Sequence, residues 1–229
     1  VVYFEQCGED FSLDDLKKDI ILFVSGDGKI SPHAFREVIK YFDSHQDINV
    51  VYGDEDIWYL PEGEDAEPDN ELKHRMAPWV KPMWSPDTLF SYLYFGNVFA
   101  VRRTAFAKLK WLGMDDYRLN IYDFVLKVTE QGKRAGHIEK ILFHKFWKGT
   151  DRDTVEAQVM STLDLIGVGT EYDFIRELAM KRRGLQGRMV INDKTGISYP
   201  VNSTFLRGAN SSSSSRNFPQ TCVCLLYTS

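Results

Sequence analysis

The apolar positions of the chain fall into short buried-looking runs separated by helical stripes. Ile20-Ile21-Leu22-Phe23-Val24 is continuous and β-favouring, the pattern of a strand covered on both faces. Phe35, Val38, Ile39 and Phe42 follow with i, i+3, i+4, i+7 spacing, which predicts a helix with one apolar face. Ser31 suits its N-cap and Pro32 its first position, where a missing N–H costs nothing. Ile48–Tyr52 reads as a second strand. A strand, a helix and a strand of these lengths predict a right-handed crossover and parallel pairing.

Further along, Leu13 and Leu16 give a weak helical pattern over Phe11–Lys18. Leu60 to Arg75 is polar, with Pro61, Gly63 and Pro68, and reads as a surface excursion. Met76 to Asp87 is rich in proline and tryptophan and cannot be a regular helix. Thr88–Tyr94 reads as a short helix and Gly96–Val101 as a strand. A helix opens at Arg102-Arg103, with Phe106 and Leu109 inward. Asn120 suits the cap of a helix from Ile121 to Gln131 that Gly132 closes. Gly136–Phe143 reads as a strand ending at His144.

From Asp153 the pattern turns helical. Val155, Val159, Leu163 and Ile166 define one helix. Glu171–Arg183 defines another, with Lys181-Arg182-Arg183 complementing its dipole and Gly184 as its stop. Arg188–Ile191 and Ile197–Val201 read as a β-hairpin.

Chemistry enters where the strands end. Val50-Val51-Tyr52-Gly53 runs into Asp54-Glu55-Asp56, and the first strand runs into Ser25-Gly26-Asp27-Gly28. Ligands of open α/β sheets sit beyond the carboxyl ends of strands. Parallel pairing would put Asp27 and Asp54–Asp56 at one edge, and carboxylates there suit Mg²⁺ or Mn²⁺ carrying a phosphate. The plain alternative for the acid triplet is a solvated turn. For Asp123, in the first turn of its helix, it is a dipole acid. For His144 it is a hydrogen-bonded core residue, and for Trp79, Trp84 and Tyr94 it is core packing.

The net charge of −5 over 229 residues argues against a general nucleic-acid binder. No apolar run approaches the roughly 20 residues of a membrane span. Cys7, Cys222 and Cys224 lack metal-ligand spacing, and a lone cysteine in the body fits a reducing compartment. The chain opens on Val1 without methionine, so residues upstream are expected. Ser211–Ser215 begins an aperiodic tail, and Cys224–Ser229 is what a DNA-library transposase adapter encodes in frame. We therefore divide the chain into residues 1–150, a partial α/β domain expected to lack its N-terminal strands; 151–210, a helical connector with a hairpin; and 211–229, a linker with an adapter scar.

The order of Ser25-Gly26-Asp27-Gly28, Val51–Asp56, Val80-Lys81-Pro82-Met83-Trp84-Ser85-Pro86-Asp87, Arg102-Arg103, Tyr122–Lys127 and Gly136–His144 resembles the family 2 glycosyltransferases of GT-A fold. Within them it is similar to bacterial enzymes that build cell-surface polysaccharide, often with two such domains in tandem. The resemblance covers roughly Ile20 to Thr150. It implies an α/β, GT-A-like (Rossmann-like) domain, with a mostly parallel sheet flanked by helices and a helical C-terminal extension. It implies transfer of a sugar from a nucleotide-sugar donor to a saccharide or lipid-linked saccharide acceptor, with Mn²⁺ or Mg²⁺ neutralising the leaving diphosphate.

Residue by residue, it implies Asp27 and His144 as metal ligands and Asp54, Glu55 and Trp84 near the substrates. Ser25 stands where the first acid of the metal motif is usual. Asn120-Ile121 stands where inverting members carry the acidic pair whose aspartate deprotonates the acceptor, and isoleucine cannot act as a base. Asp123, Asp116 or Asp56 would then have to serve as the base, and Asp123 and Asp56 are the candidate catalytic acids. The alternative is an inactive GT-A-like binding or scaffold module beside an active domain. A nucleotidyltransferase of the same fold fits the later motifs less well. The implied location is cytoplasmic, at the inner face of the membrane through peripheral association of the full-length protein.

Overall fold

The computed structural model describes residues 1–61, 75–130, 134–149, 166–191 and 198–202. In chain order the elements are β1 (Val2–Tyr3), β2 (Ile20–Val24), β3 (Gly28–Ile30), α1 (Ala34–Ser44), β4 (Val50–Pro61), β5 (Arg75–Trp79), α2 (Pro86–Ser91), β6 (Val98–Arg102), α3 (Arg103–Phe106), α4 (Tyr117–Val128), β7 (Ala135–Gly149), α5 (Asp173–Arg182), β8 (Gly187–Ile191) and β9 (Ser198–Asn202). Single 3₁₀ turns stand at Phe4–Gln6, Leu13–Asp15 and Thr170–Tyr172. The expected helix over Phe11–Lys18 is thus only one turn.

The main sheet runs β1-β2-β6-β4-β7-β3, with β5 added to β4. It is mixed, which corrects the expectation of a mostly parallel sheet. β1 with β2 and β4 with β7 are parallel. The pairs β2–β6, β4–β6, β3–β7 and β4–β5 are antiparallel. β2 and β4 do run the same way, yet they do not pair, because β6 inserts between them. Apolar periodicity carries no information about which strand is the neighbour, so this insertion was not legible.

Each face of the sheet buries a core. On one side Phe23, Tyr52, Phe99, Phe124 and Val125 pack with α2, α4 and α5. On the other, Leu22, Val24, Val51 and Phe143 pack against Ala34, Val38 and Phe42 of α1. The face of α1 is therefore Ala34–Val38–Phe42, whereas Phe35 and Ile39 are 48% and 51% exposed. Ser31 is not its cap. His33 holds that position, and the Ser31 hydroxyl donates to the Ile141 carbonyl at 2.8 Å.

One other helix start shifts. α4 begins at Tyr117, capped by Asp116, whose carboxylate accepts from the Arg118 N–H at 2.9 Å. Asn120 lies inside that helix, and its side chain binds Cys7 and Met114 instead. Asp116 stands at the end of an irregular stretch, so a second good capping residue four positions later misled the pattern.

Tyr172, Ile175, Ala179 and Met180, at and within α5, belong to the same buried cluster as the sheet. The hairpin β8–β9 forms in the expected place. The polar excursion over 62–74, the helix on Val155, Val159 and Leu163, and the tail beyond 202 lie outside the described residues. No helix among the described residues is long and apolar enough to cross a membrane.

Candidate functional site

Strand β4 changes neighbours halfway along. Val50–Tyr52 pair with β6, and Glu55–Trp58 pair with β5. On the opposite edge the β7 register shifts between Gly53 and Glu55. A Cβ at Gly53 would strike the Leu142 side chain that the shift folds over it, so glycine is required there. A change of neighbour marks a switch point in the sheet, and ligands of α/β sheets bind at such points. The carboxyl end of β2, the middle of β4 and the start of β6 all meet here. The Ser25 N–H donates to the Asn97 carbonyl at 2.9 Å, and Asn97 donates through both its N–H and its side-chain amide to Glu55 at 3.0 and 3.1 Å.

The acid triplet sits inside β4, not beyond its end, and all three residues are buried. This corrects the reading of Asp54–Asp56 as acids facing out of a strand terminus, and equally the reading of a solvated turn. A buried carboxylate needs paired donors, and each has them. Asp54 Oδ1 lies 2.7 Å from His137 Nε2 and accepts from the Lys81 N–H at 2.9 Å. Glu55 takes Asn97 and, at 3.5 Å, the Lys81 ammonium. Asp56 takes His144 Nδ1 at 2.5 Å and the Arg75 guanidinium at 2.6 Å. Lys81 is itself buried. Burial pushes its ammonium below the ordinary lysine value, and Glu55 and then Asp54 oppose that shift. Its Nζ also donates to the Phe95 carbonyl at 2.5 Å.

His144 is buried, with both ring nitrogens engaged. Nδ1 meets Asp56, and Nε2 lies 2.9 Å from the Ser31 hydroxyl. The order Asp56, His144, Ser31 has the connectivity of a nucleophilic triad. All three side chains are sealed, however, and the serine hydroxyl is used on Ile141, so no substrate reaches them. His144 offers no free lone pair to a metal in this arrangement.

Asp27 is different. Its side chain is 56% exposed, accepts a hydrogen bond from the Ser25 hydroxyl, and faces Lys145 Nζ at 3.7 Å. The Gly26 N–H beside it donates to the Glu5 carboxylate at 3.0 and 3.1 Å. Among the described residues no group of three histidine, cysteine or acidic side chains is placed to hold a metal. Asp27 and His144 therefore do not form a protein cage. A single exposed carboxylate suits Mg²⁺ that takes its other ligands from water and substrate phosphates.

Asp123 is buried on α4 between two cations, Lys127 at 2.5 Å and Arg182 of α5 at 3.0 Å. Asn120 and Ile121 have no exposed surface. The position that the resemblance gives to an acceptor base is thus closed core. Trp84 is half-buried, with its ring 6.3 Å from Phe95.

Sequence reasoning missed Lys81, Asn97 and His137, which complete the acid network. A lysine alone among prolines and tryptophans was the one available sign, because an isolated charge in an apolar stretch needs a partner. It also missed that Arg182 and Arg183 reach α4. Besides Asp123, Arg182 binds Glu130 at 2.7 Å, and Arg183 donates to the Leu126 carbonyl at 3.0 Å.

No protein-family model matches the chain. It is 33% identical over 126 residues to the O-antigen biosynthesis protein RfbC of Myxococcus xanthus, a match covering 55% of this chain and 9% of that protein. The chain thus spans a small part of that curated relative. A solved structure, S. aureus TarS 1-349, aligns at a TM-score of 0.37 and 14% identity over 74% of this chain and 48% of that one.

Proposed function

We propose that the chain is part of a glycosyltransferase of cell-surface polysaccharide synthesis, moving a sugar from a nucleotide-diphosphate donor to a saccharide or lipid-linked saccharide acceptor. The observation that carries this reading is the exposed Asp27 carboxylate just past the carboxyl end of β2, while Asp54, Asp56 and Asp123 are buried. The identity with RfbC and the order of motifs support it. Asp27 would hold Mg²⁺ or Mn²⁺ against the donor diphosphate, and the ion would offset the charge of the leaving group. Glu55, Asn97 and Lys81 tie β4 to the segment before β6. Asp54 and Asp56 act through the backbone they fix rather than by touching substrate.

The test is calorimetric titration with UDP and other nucleoside diphosphates, with and without Mn²⁺, on the wild type and on Asp27→Ala. Metal-dependent binding that disappears in the variant is the expected result. Equal binding by both proteins would move the donor site elsewhere.

A second reading, a non-catalytic binding or scaffold module, rests on one observation. Asn120 and Ile121 are sealed and Asp123 is neutralised by two cations, which leaves the acceptor without an evident base. Nucleotide binding without any transfer or donor hydrolysis would favour it.

A further inference from the structure

The register of β3 on β7 brings a lysine to the exposed carboxylate. Gly28 pairs with Lys145. A Cβ at Gly28 would strike the Phe143 ring and the His144 carbonyl oxygen, so glycine lets the two strands close this tightly. One residue earlier, the Asp27 carbonyl accepts from the Phe146 N–H at 2.8 Å. Side chains alternate along a strand. His144 turns into the core, and Lys145 turns out, with its Nζ 3.7 Å from Asp27 Oδ2. Both of these charged side chains are partly exposed.

The two oxygens of Asp27 have different partners. Oδ1 accepts from the Ser25 hydroxyl, and Oδ2 faces the ammonium. At 3.7 Å no hydrogen bond forms, so the contact uses none of the ammonium's hydrogens. Ser25 stands where the resemblance places a second acid. It gives Asp27 a hydrogen bond and adds no charge. The pair of Asp27 and Lys145 is therefore neutral, where two carboxylates would hold a cation with two negative charges.

We propose that Lys145 binds the diphosphate of the donor, and that its resting place against Asp27 is the position a divalent ion would take. With an ion on Asp27 the ammonium is repelled and must leave. Phosphate oxygens drawn to the ion are the nearest acceptors for it. An ammonium is a compact charge on a flexible stem and takes a phosphate without a fixed geometry. Lys145 thus opposes the metal alone and favours metal and nucleotide together, which couples the two ligands. The inference rests on the sugar-transfer reading and adds a second group to its donor site.

Two titrations test it on the wild type, Lys145→Met, Lys145→Arg and Asp27→Ala. The first adds Mn²⁺ alone and follows free Mn²⁺ by electron paramagnetic resonance, counting only the binding that Asp27→Ala removes. The second adds, at saturating Mn²⁺, whichever of UDP, GDP, ADP and dTDP the wild type binds best, and reads the heat. Lys145→Met is expected to bind Mn²⁺ about two- to fivefold more tightly, the worth of an exposed ion pair. It should bind the nucleotide about tenfold more weakly. Lys145→Arg keeps the charge and should stay within about threefold of the wild type for the nucleotide. A lysine with only a structural role would not move the two affinities in opposite directions. Mn²⁺ binding no tighter in Lys145→Met, or nucleotide binding as strong as in the wild type, overturns the inference and leaves the transfer reading standing. Equal loss of nucleotide in Lys145→Arg and Lys145→Met overturns it too. A wild type that binds none of the four nucleotides with Mn²⁺ overturns the transfer reading, and this inference with it.

Discussion

His144 Nδ1 lies 2.5 Å from Asp56 Oδ1, and this contact ties two parallel strands through side chains that are both buried. Removing one member of such a pair leaves the other charge or dipole uncompensated, whereas removing both does not. Asp56→Leu alone is therefore expected to cost about 3–5 kcal/mol. Asp56→Leu combined with His144→Phe should cost clearly less than the sum of the single changes. Urea unfolding of the four proteins measures the coupling, and additive losses would mean the contact contributes nothing of its own.

Gly96 has φ of 71°, and a Cβ there would strike Glu55 Oε1 and the Lys81 ammonium. Gly96→Ala pays twice, in backbone strain and in a parted buried ion pair. We expect a loss of at least about 2 kcal/mol. By contrast, Gly113 also has positive φ but nothing within 4 Å of its added Cβ. Gly113→Ala should lose only about 1 kcal/mol. Similar losses in the two variants would count against the close packing at Glu55.

Arg176 is wholly buried. It donates to the carbonyls of Phe90, Ser91, Gly167 and Gly169 and to Asp173. Arg176→Met strands all of these acceptors, at a cost of about 3–5 kcal/mol. Because α5 shares the core of the sheet, thermal unfolding followed by near- and far-ultraviolet circular dichroism should remain one transition at a lower Tm. An early, separate loss of helix signal would show that α5 is not integral.

Asp116 caps α4, and the hydrogen bond from Arg118 holds its carboxyl below the ordinary value of 3.8. A depressed folded-state pKa gives stability that is present above the unfolded value and is lost as pH falls through the folded one. Asp116→Ala should then cost about 1 kcal/mol at neutral pH. The gap to the wild type should close as pH drops below 3.8. A gap that persists in strong acid would point to packing rather than the cap.

The sequence determined the local elements wherever one periodicity applied. The strand over Ile20–Val24, the helix that ends near Arg182 before Gly184, and the hairpin over Arg188–Val201 were legible because each depends on neighbours a few residues away. It also predicted that β2 and β4 run the same way, which follows from the helix between them. Tertiary structure alone decided which of the acids Asp27 and Asp54–Asp56 meet water. The run Val50–Asp56 looks like a strand ending in acids, but donors from Asn97, Lys81, His137, His144 and Arg75 let β4 continue through it to Pro61. The same is true of α1, where Phe35 and Ile39 fit the helical period as well as Val38 and Phe42 do. Which stripe turns inward depends on the surface it meets. A carboxylate or an apolar side chain has no fixed place until its partners arrive from distant parts of the chain, and a one-dimensional pattern does not contain those distances.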